Sequence, residues 1–141
     1  MQQDQTLIEL RTGGQGFYEF SEQLRQFVTQ SGIGTGLVTA FCRHTSASLV
    51  IQENADPDVQ VDLQGLFARL VPENMPWITH TLEGPDDMPA HIKAALTQTS
   101  IAIPVSDGVP VLGTWQGIYL FEHRSAPHRR LVVLHIIGER A

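Results

Sequence analysis

Apolar residues recur along this chain with more than one period, and the changes of period divide it into elements. Thr6 to Arg11 reads as a strand, which Gly13-Gly14 breaks. From there Phe17, Phe20, Leu24, Phe27 and Val28 fall at helical spacing, predicting an amphipathic helix that stops at Ser31-Gly32. Leu37 to Cys42 is almost continuously apolar and includes Val, Thr and Phe. That run predicts a strand buried on both faces, with Ser48 to Gln52 as its neighbour. Pro57 opens a second helix with Asp56 placed to cap it. Val59, Leu63, Leu66, Phe67 and Leu70 mark its apolar face, and it ends before Pro72.

Residues 72–87 hold three prolines and no persuasive period, so a long loop is expected, and loops of that length are often functional. Asp86 or Asp87 then caps a short helix in which Ile92, Ala95 and Leu96 share the buried side and His91 lies about a quarter turn away. Ser100 to Val105, Val109 to Leu112, Gly117 to His123 and Leu131 to Ile137 read as further strands, the first two joined by a turn at Asp107-Gly108. Six or seven strands with three helices predict one α+β domain over residues 1–141: helices on a mainly antiparallel sheet or split sandwich.

Charge and composition narrow the partners. The formal net charge is −6 and only Arg129-Arg130 are adjacent basic residues, so there is no basic face for nucleic acid. No apolar run approaches the ~18 residues of a membrane span, and Met-Gln-Gln-Asp-Gln lacks a secretory pattern. A cytoplasmic protein with neither nucleic acid nor membrane as partner is expected. The single cysteine, Cys42, excludes an intrachain disulfide and reads as a buried, inert thiol.

Side chains that hold protons, metals or anions gather in three stretches: Arg43 to Ser48 followed by Glu53 to Asp58, Glu83 to His91, and Gly113 to Arg124. Polar groups between apolar runs must satisfy one another or serve a ligand, and the expectation is that the fold brings the three together. His44, His80, His91, His123 and His128 sit at strand ends, in the loop or near a helix start, without H-x-H, H-E-x-x-H or paired cysteines. A shared metal would therefore be assembled by tertiary contact. Asp56 and Asp58 divide between capping and function. Of Asp86 and Asp87, one suffices for a cap and the other is available to a cation. Strand alternation puts Glu122 and Arg124 on one side and His123 on the other, either as a cross-strand salt bridge or as a site. Arg43, Thr45, Ser46 and Ser48 form either an oxyanion cradle or ordinary turn hydroxyls. Gln116 offers an amide beside Trp115, which is expected to pack. His135, inside an apolar run, reads as a core or subunit-interface residue, and His128 as a solvated turn residue.

Four motifs, His44-Thr-Ser-Ala-Ser-Leu49, Glu53-Asn-Ala-Asp-Pro57, Glu83-Gly-Pro-Asp-Asp-Met-Pro-Ala-His-Ile-Lys93 and Gly113-Thr-Trp-Gln-Gly-Ile-Tyr-Leu-Phe-Glu-His-Arg124, resemble the YjbQ-like family in order and nearly verbatim. That family is also called the secondary thiamine-phosphate synthase family, and the resemblance spans essentially the whole chain. It implies a small α+β fold, a homotrimer, and a polar pocket near a subunit boundary whose histidines hold a divalent metal. By motif the implied positions are His44, His91 and His123, with His80 close by and Glu53 and Glu122 as carboxylate candidates; Asp86 and Asp87 extend the set of possible ligands.

The implied activity joins a pyrimidine-methyl diphosphate to a thiazole phosphate, giving thiamine phosphate. In that reading Arg43, Thr45, Ser46, Ser48, Gln116 and Arg124 bind the phosphorylated substrate, while His44, Glu53, Glu122 and His123 are the catalytic groups. A histidine site suits zinc or a similar metal, whereas carboxylates and diphosphate suit magnesium. Two rivals stand beside it: a metal-dependent hydrolase with Glu53 or Glu122 as base, and a non-catalytic trimeric module that binds a metal or anion.

Overall fold

Alternation of period two builds the larger of two sheets. A computed structural model describes residues 1–141. In chain order the elements are β1 (Gln2–Thr12), β2 (Gly16–Glu19), α1 (Ser21–Ser31), β3 (Ile33–Cys42), β4 (Ala47–Glu53), α2 (Pro57–Leu70), α3 (Asp87–Leu96), β5 (Ser100–Ser106), β6 (Val109–Pro110), β7 (Gln116–Glu122) and β8 (His128–Arg140). All pairings are antiparallel, in a five-stranded sheet ordered β1-β8-β3-β5-β6 and a three-stranded sheet ordered β2-β7-β4. The fold is α+β as expected, with eight strands rather than six or seven. Leu24, Phe27 and Val28 of α1 share one core with the inward residues of both sheets, among them Val38, Leu49, Ile103, Leu120 and Leu134.

The outer face of the larger sheet corrects one expectation. β3 buries Val38, Ala40 and Cys42, but Leu37 and Phe41 are 41% and 47% exposed, so one face is open. Its apolar run is continuous because outward positions are apolar too. Register sets Leu7 opposite Val133, Val133 opposite Phe41, and Leu37 opposite Ile137, making an apolar ribbon across three strands. His135 lies on this outer face beside Gln5, not in the core. The strand covered on both faces is β7, buried from Gly117 to Glu122. Nor are β3 and β4 neighbours: β3 pairs β5 and β8, while β4 pairs β7, so the Arg43 to Ser46 link crosses between sheets.

Three helix expectations also shift. Phe17 belongs to β2, where its ring stacks on Phe121 with centroids 4.2 Å apart, and cross-strand pairing overrides the helical period. Asp56 caps α2, its side chain accepting from the Asp58 N–H, yet no residue of α2 is fully buried, and Val61, Leu66 and Leu70 stay exposed. In α3 the buried residues are Asp87, Pro89, Ala90 and Lys93, whereas Ala95 and Leu96 face outward, because ion pairs to Asp87 orient the helix. Residues 72–86 form the expected long loop. Asp107 and Gly108, both at positive φ, make the tight turn between β5 and β6.

Candidate functional site

The site begins at the first residue of α3. Asp87 is 2% exposed; its Oδ1 accepts from Arg124 Nη1 at 2.7 Å. Arg124 lies just past β7, also donating through Nε to Asp86 Oδ2 at 3.0 Å and through Nη2 to the Glu83 carbonyl at 3.0 Å. Thus one guanidinium pins the long loop to the end of a buried strand. Asp86 makes no side-chain cap; it holds Arg124 and the Ser125 N–H instead. Arg124 and both aspartates are committed to one another, which leaves Arg124 unavailable as a free phosphate-binding cation.

The other Asp87 oxygen, Oδ2, faces two imidazoles: Nε2 of His80 at 2.7 Å and Nε2 of His91 at 3.0 Å. His91 is one helical turn beyond Asp87, hence on the same face. Its second nitrogen, Nδ1, lies 2.8 Å from the Thr45 carbonyl, which can only accept, so Nδ1 carries a proton. A neutral ring then presents the Nε2 lone pair to a carboxylate oxygen. That contact is repulsive unless the ring takes a second proton or a cation joins the two atoms. A ring N–H held by a carbonyl fixes the tautomer that a metal-binding histidine needs, with Nε2 turned toward Asp87. The ligand atoms of His80, Asp87 and His91 all lie within 4.8 Å of one another. Atoms bound at about 2.0–2.2 Å to one tetrahedral zinc stand roughly 3.4 Å apart, so the donor set, opened by a few tenths of an ångström at Asp87, fits a divalent metal. Burial works to raise the Asp87 carboxyl, but hydrogen bonding from His80 and the charges of His91 and Arg124 prevail and hold it below the usual range.

Beside this cluster lies a cavity of about 800 Å³ whose lining includes Phe41, Arg43, His44, Thr45, His91 and Thr99. Arg43 is exposed and makes no ion pair, so its guanidinium is open to an anion. His44 shares the cavity but not the cluster: its Nε2 accepts the Leu131 N–H at 2.8 Å, so that lone pair is used within the fold. Burial, reinforced by the positive charge of Arg130, pushes the pKa of His44 down.

The remaining predicted residues lie elsewhere. Ser46 and Ser48 are buried and engaged, Ser46 Oγ accepting from Arg130 Nη2 at 2.9 Å and Ser48 Oγ lying 2.8 Å from His123 Nε2. His123 is sealed away from the other histidines, and burial together with the charge of Lys93 pushes its pKa to about 3. Glu122 is held by Arg130 and Thr12. β7 ends at Glu122, so the alternation expected to pair it with Arg124 stops there. Glu53 pairs with Gln116 at one end of β4–β7 and Ala47 with Glu122 at the other, a separation of about 20 Å at 3.3 Å per residue. Glu53 accepts from the Asp56 N–H, the Gln116 amide turns back to the Gly113 N–H, and Trp115 is exposed rather than packed. His128 is the first residue of β8, paired with Thr12 and half-buried rather than a solvated turn residue, and its Nδ1 lies 2.8 Å from the Ala126 carbonyl.

Comparison with known sequences turns this geometry into a family assignment. The family profile described as UPF0047 protein YjbQ-like matches residues 6–139. The chain belongs to the YjbQ-like UPF0047 family. A UPF0047 protein of Synechocystis is 53% identical over 137 residues, covering 97% of this chain and 93% of the relative, and the YjbQ protein of Escherichia coli is 39% identical over 136 residues, covering 96% and 98%. A crystal structure of a YjbQ/UPF0047 family protein from Clostridium acetobutylicum superposes with a TM-score of 0.85 at 35% identity, covering 94% of this chain and 99% of that one. A conserved hypothetical protein from Thermus thermophilus gives 0.84 at 33%, again covering 94% and 99%. YjbQ-like motifs thus lie on the YjbQ-like fold, where the sequence order of the three polar stretches becomes one cluster and two separate polar sets.

Two residues of those polar sets escaped the sequence reading. In the sequence Arg130 stands as half of a basic pair, yet it is in phase with Val132, Leu134 and Ile136, the buried face of β8. Lys93 likewise falls three residues after Ala90 on the buried face of α3. In both, the signal was a charge in step with an apolar period.

Proposed function

We propose that the chain is a metal-dependent enzyme acting on a small phosphorylated molecule, with a divalent cation held by His80, Asp87 and His91. Arg43 would take the substrate's anionic group in the adjoining cavity. The observation that carries this reading is the His91 ring, whose Nδ1 donates to the Thr45 carbonyl while its Nε2 shares one carboxylate oxygen with His80. Two imidazoles and a carboxylate favour zinc or a similar metal over magnesium. Bound there, the cation supplies charge neutralisation beside the cavity. Arg43 orients the anion, Thr45 fixes the His91 ring through its carbonyl, and Arg124 holds Asp87 in place.

Thiamine-phosphate synthesis is the reaction to assay first, since the family resemblance implies it and departure of diphosphate needs its developing charge stabilised. The nitrogen-rich donor set favours a second reading, metal-assisted hydrolysis of a phosphate ester. Neither Glu53 nor Glu122 reaches the cluster as a base in that reading. We also assign the apolar ribbon of Leu7, Leu37, Phe41, Val133 and Ile137 to contact between copies of the chain in a homotrimer. Phe41 lies on both the ribbon and the cavity wall, which sets the cavity beside that contact.

Metal analysis of protein purified without added metal, followed by zinc titration, tests the cluster. Near-stoichiometric zinc, weakened at least about tenfold in His80→Ala and His91→Ala but unchanged in His44→Ala, is expected. Equal zinc binding in all four proteins rejects the site. Thiamine phosphate formed by the wild type and lost in Arg43→Ala and His91→Ala supports the synthase. Phosphate release from a phosphomonoester panel, with the same variant losses, supports the hydrolase. Light scattering of Phe41→Asp reads the assembly, with a monomer expected in place of a trimer.

A further inference from the structure

A second cavity, of about 290 Å³, lies between α2 and the end of β7, and no residue of the metal cluster lines it. Gln15, Gln64, Phe67, Lys93, Phe121 and His123 form its working walls. Lys93 is 7% exposed and its ammonium makes no ion pair and no hydrogen bond; burial works against its charge, and Glu73 and Asp86 offset that only from beyond contact distance, so a partner arriving in the cavity would favour it. His123 is 1% exposed; its Nε2 is engaged by Ser48, and its Nδ1 is a buried polar atom without any partner. Glu122 also lines the cavity, but its oxygens are taken by Arg130, Thr12 and the backbone N–H groups of His123 and Arg124, so it does not neutralise Lys93.

The ring can present a donor. Ser48 Oγ lies 2.8 Å from His123 Nε2 and 2.5 Å from Thr97 Oγ1. Thr97 Oγ1 also lies 2.9 Å from the Lys93 carbonyl; with its one proton given to Ser48 Oγ instead, the Ser48 hydroxyl donates to Nε2 and the neutral ring carries its proton on Nδ1. The polar inventory is then one cation, one imidazole N–H and the carboxamide of Gln64, opposite an aromatic corner where Phe67 and Phe121 meet edge to face at 5.2 Å. Arg130, the other nearby cation, is used by Glu122. One free positive charge matches a monoanion and falls short of a phosphate dianion, while the aromatic corner asks for an apolar group. The volume sits at the low end of ligand pockets, which run about 300–1,000 Å³.

We propose that this cavity binds a small organic monocarboxylate, its oxygens taken by Lys93, His123 Nδ1 and Gln64 and its apolar part laid against Phe67 and Phe121. The site stands independently of the metal reading.

Titrating the isotope-labelled full chain with butyrate, read by long-range histidine ring spectra, tests it. Saturable shifts of the His123 ring nitrogens are expected, with a Kd at or below about 1 mM and the His80 and His91 rings unmoved. Lys93→Met should weaken binding at least about tenfold, Gln64→Leu several-fold, and inorganic phosphate should not compete. Non-saturating shifts to roughly 20 mM overturn the proposal, as does undiminished binding in a folded Lys93→Met or displacement of butyrate by equimolar phosphate. Should Lys93→Met fail to fold, Gln64→Leu on the outer helix decides, and unchanged affinity there overturns it.

Discussion

Two carboxylates in this protein have the same kind of neighbours and opposite accounts of them. Glu122 is fully buried and its partner Arg130 is 4% exposed. Oε1 accepts from Thr12 and Arg130 at 2.6 and 2.8 Å, and Oε2 from Arg130 at 2.5 Å and from two backbone N–H groups. Every contact there runs from an unambiguous donor to an acceptor. At Asp87 one oxygen is likewise satisfied by Arg124, but the other meets two imidazole nitrogens on side chains that are 43% and 29% exposed. A saturated, closed ring of donors has nothing left to offer a ligand; the half-open set balances either with a second proton on the His91 ring or with the cation proposed above. The sharpest way to break that contrast is at the closed end. Glu122→Gln leaves Arg130 buried and unpaired and should cost about 3–5 kcal/mol in urea unfolding. Replacing both, Glu122→Leu with Arg130→Met, should cost less than the single change. A loss under about 1 kcal/mol in Glu122→Gln would remove the distinction.

Acid separates the closed region further. His123 beside that network keeps a neutral ring down to about pH 3, chiefly because it is buried and then because of Lys93, whereas the unfolded chain takes up this proton through its ordinary 6.5. Between those values the unfolded state binds more protons, so stability falls as pH falls, by on the order of 1 kcal/mol per unit. Glu122 is also held low: burial alone raises it, and the Arg130 and Thr12 hydrogen bonds overcome that. Its contribution persists above the ordinary carboxylate range and disappears only as pH drops through the depressed value. Urea midpoints should therefore decline from pH 6.5 through 4.5 in the wild type and decline less steeply in His123→Asn, where the lowered His44 alone keeps the same sign, while Glu122→Gln keeps the slope.

The closed region was also the harder one to read from sequence. Most strands, the Asp56 cap and the Asp107-Gly108 turn follow from local propensity and are legible; β2 is not, because Phe17 falls in step with the helical period of α1. Which strands pair is not legible either, since β4 joins β7 more than sixty residues later and nothing in Leu37 to Gln52 signals that two sheets meet between them. The same long-range pairing scattered the candidate residues: Glu53 went with Gln116 to the far end of a strand pair, and His123 was drawn into the interior by the flanking apolar run of β7. His91 and Asp87 stayed together because their four-residue spacing on a helix is local information. His80 joins them through a loop whose path has no period at all, so only tertiary structure supplies it.

Arg124 connects the two regions and should have an intermediate effect. Its three charge-assisted bonds hold Asp86, Asp87 and the Glu83 carbonyl, but it is partly exposed and so screened. Arg124→Ala should cost about 1–2 kcal/mol. Hydrogen exchange should speed up in residues 80–87 and stay unchanged in β7. Faster exchange in both would mean that the loop and the strand form one cooperative unit, and the contrast between open and closed would be one of degree.

The smallest stability effect belongs to the open cluster, where a structural role and a ligand role diverge most. His80→Ala removes a side chain that is 43% exposed and held by one partly screened bond to Asp87, so without metal its unfolding free energy should stay within about 1 kcal/mol of the wild type. Adding zinc changes the reading. A cation that binds only the folded chain stabilises it by about 2.7 kcal/mol at a hundred times its Kd, a rise that a thermal melt resolves. That rise should appear in the wild type, persist in Glu122→Gln at a lower starting Tm, and fall to about half or less in both His80→Ala and His91→Ala. If instead the two histidine variants are markedly less stable without metal and zinc raises all four proteins alike, then the imidazoles are ordinary cationic partners of Asp87. The open cluster would then be built on the same principle as the closed one.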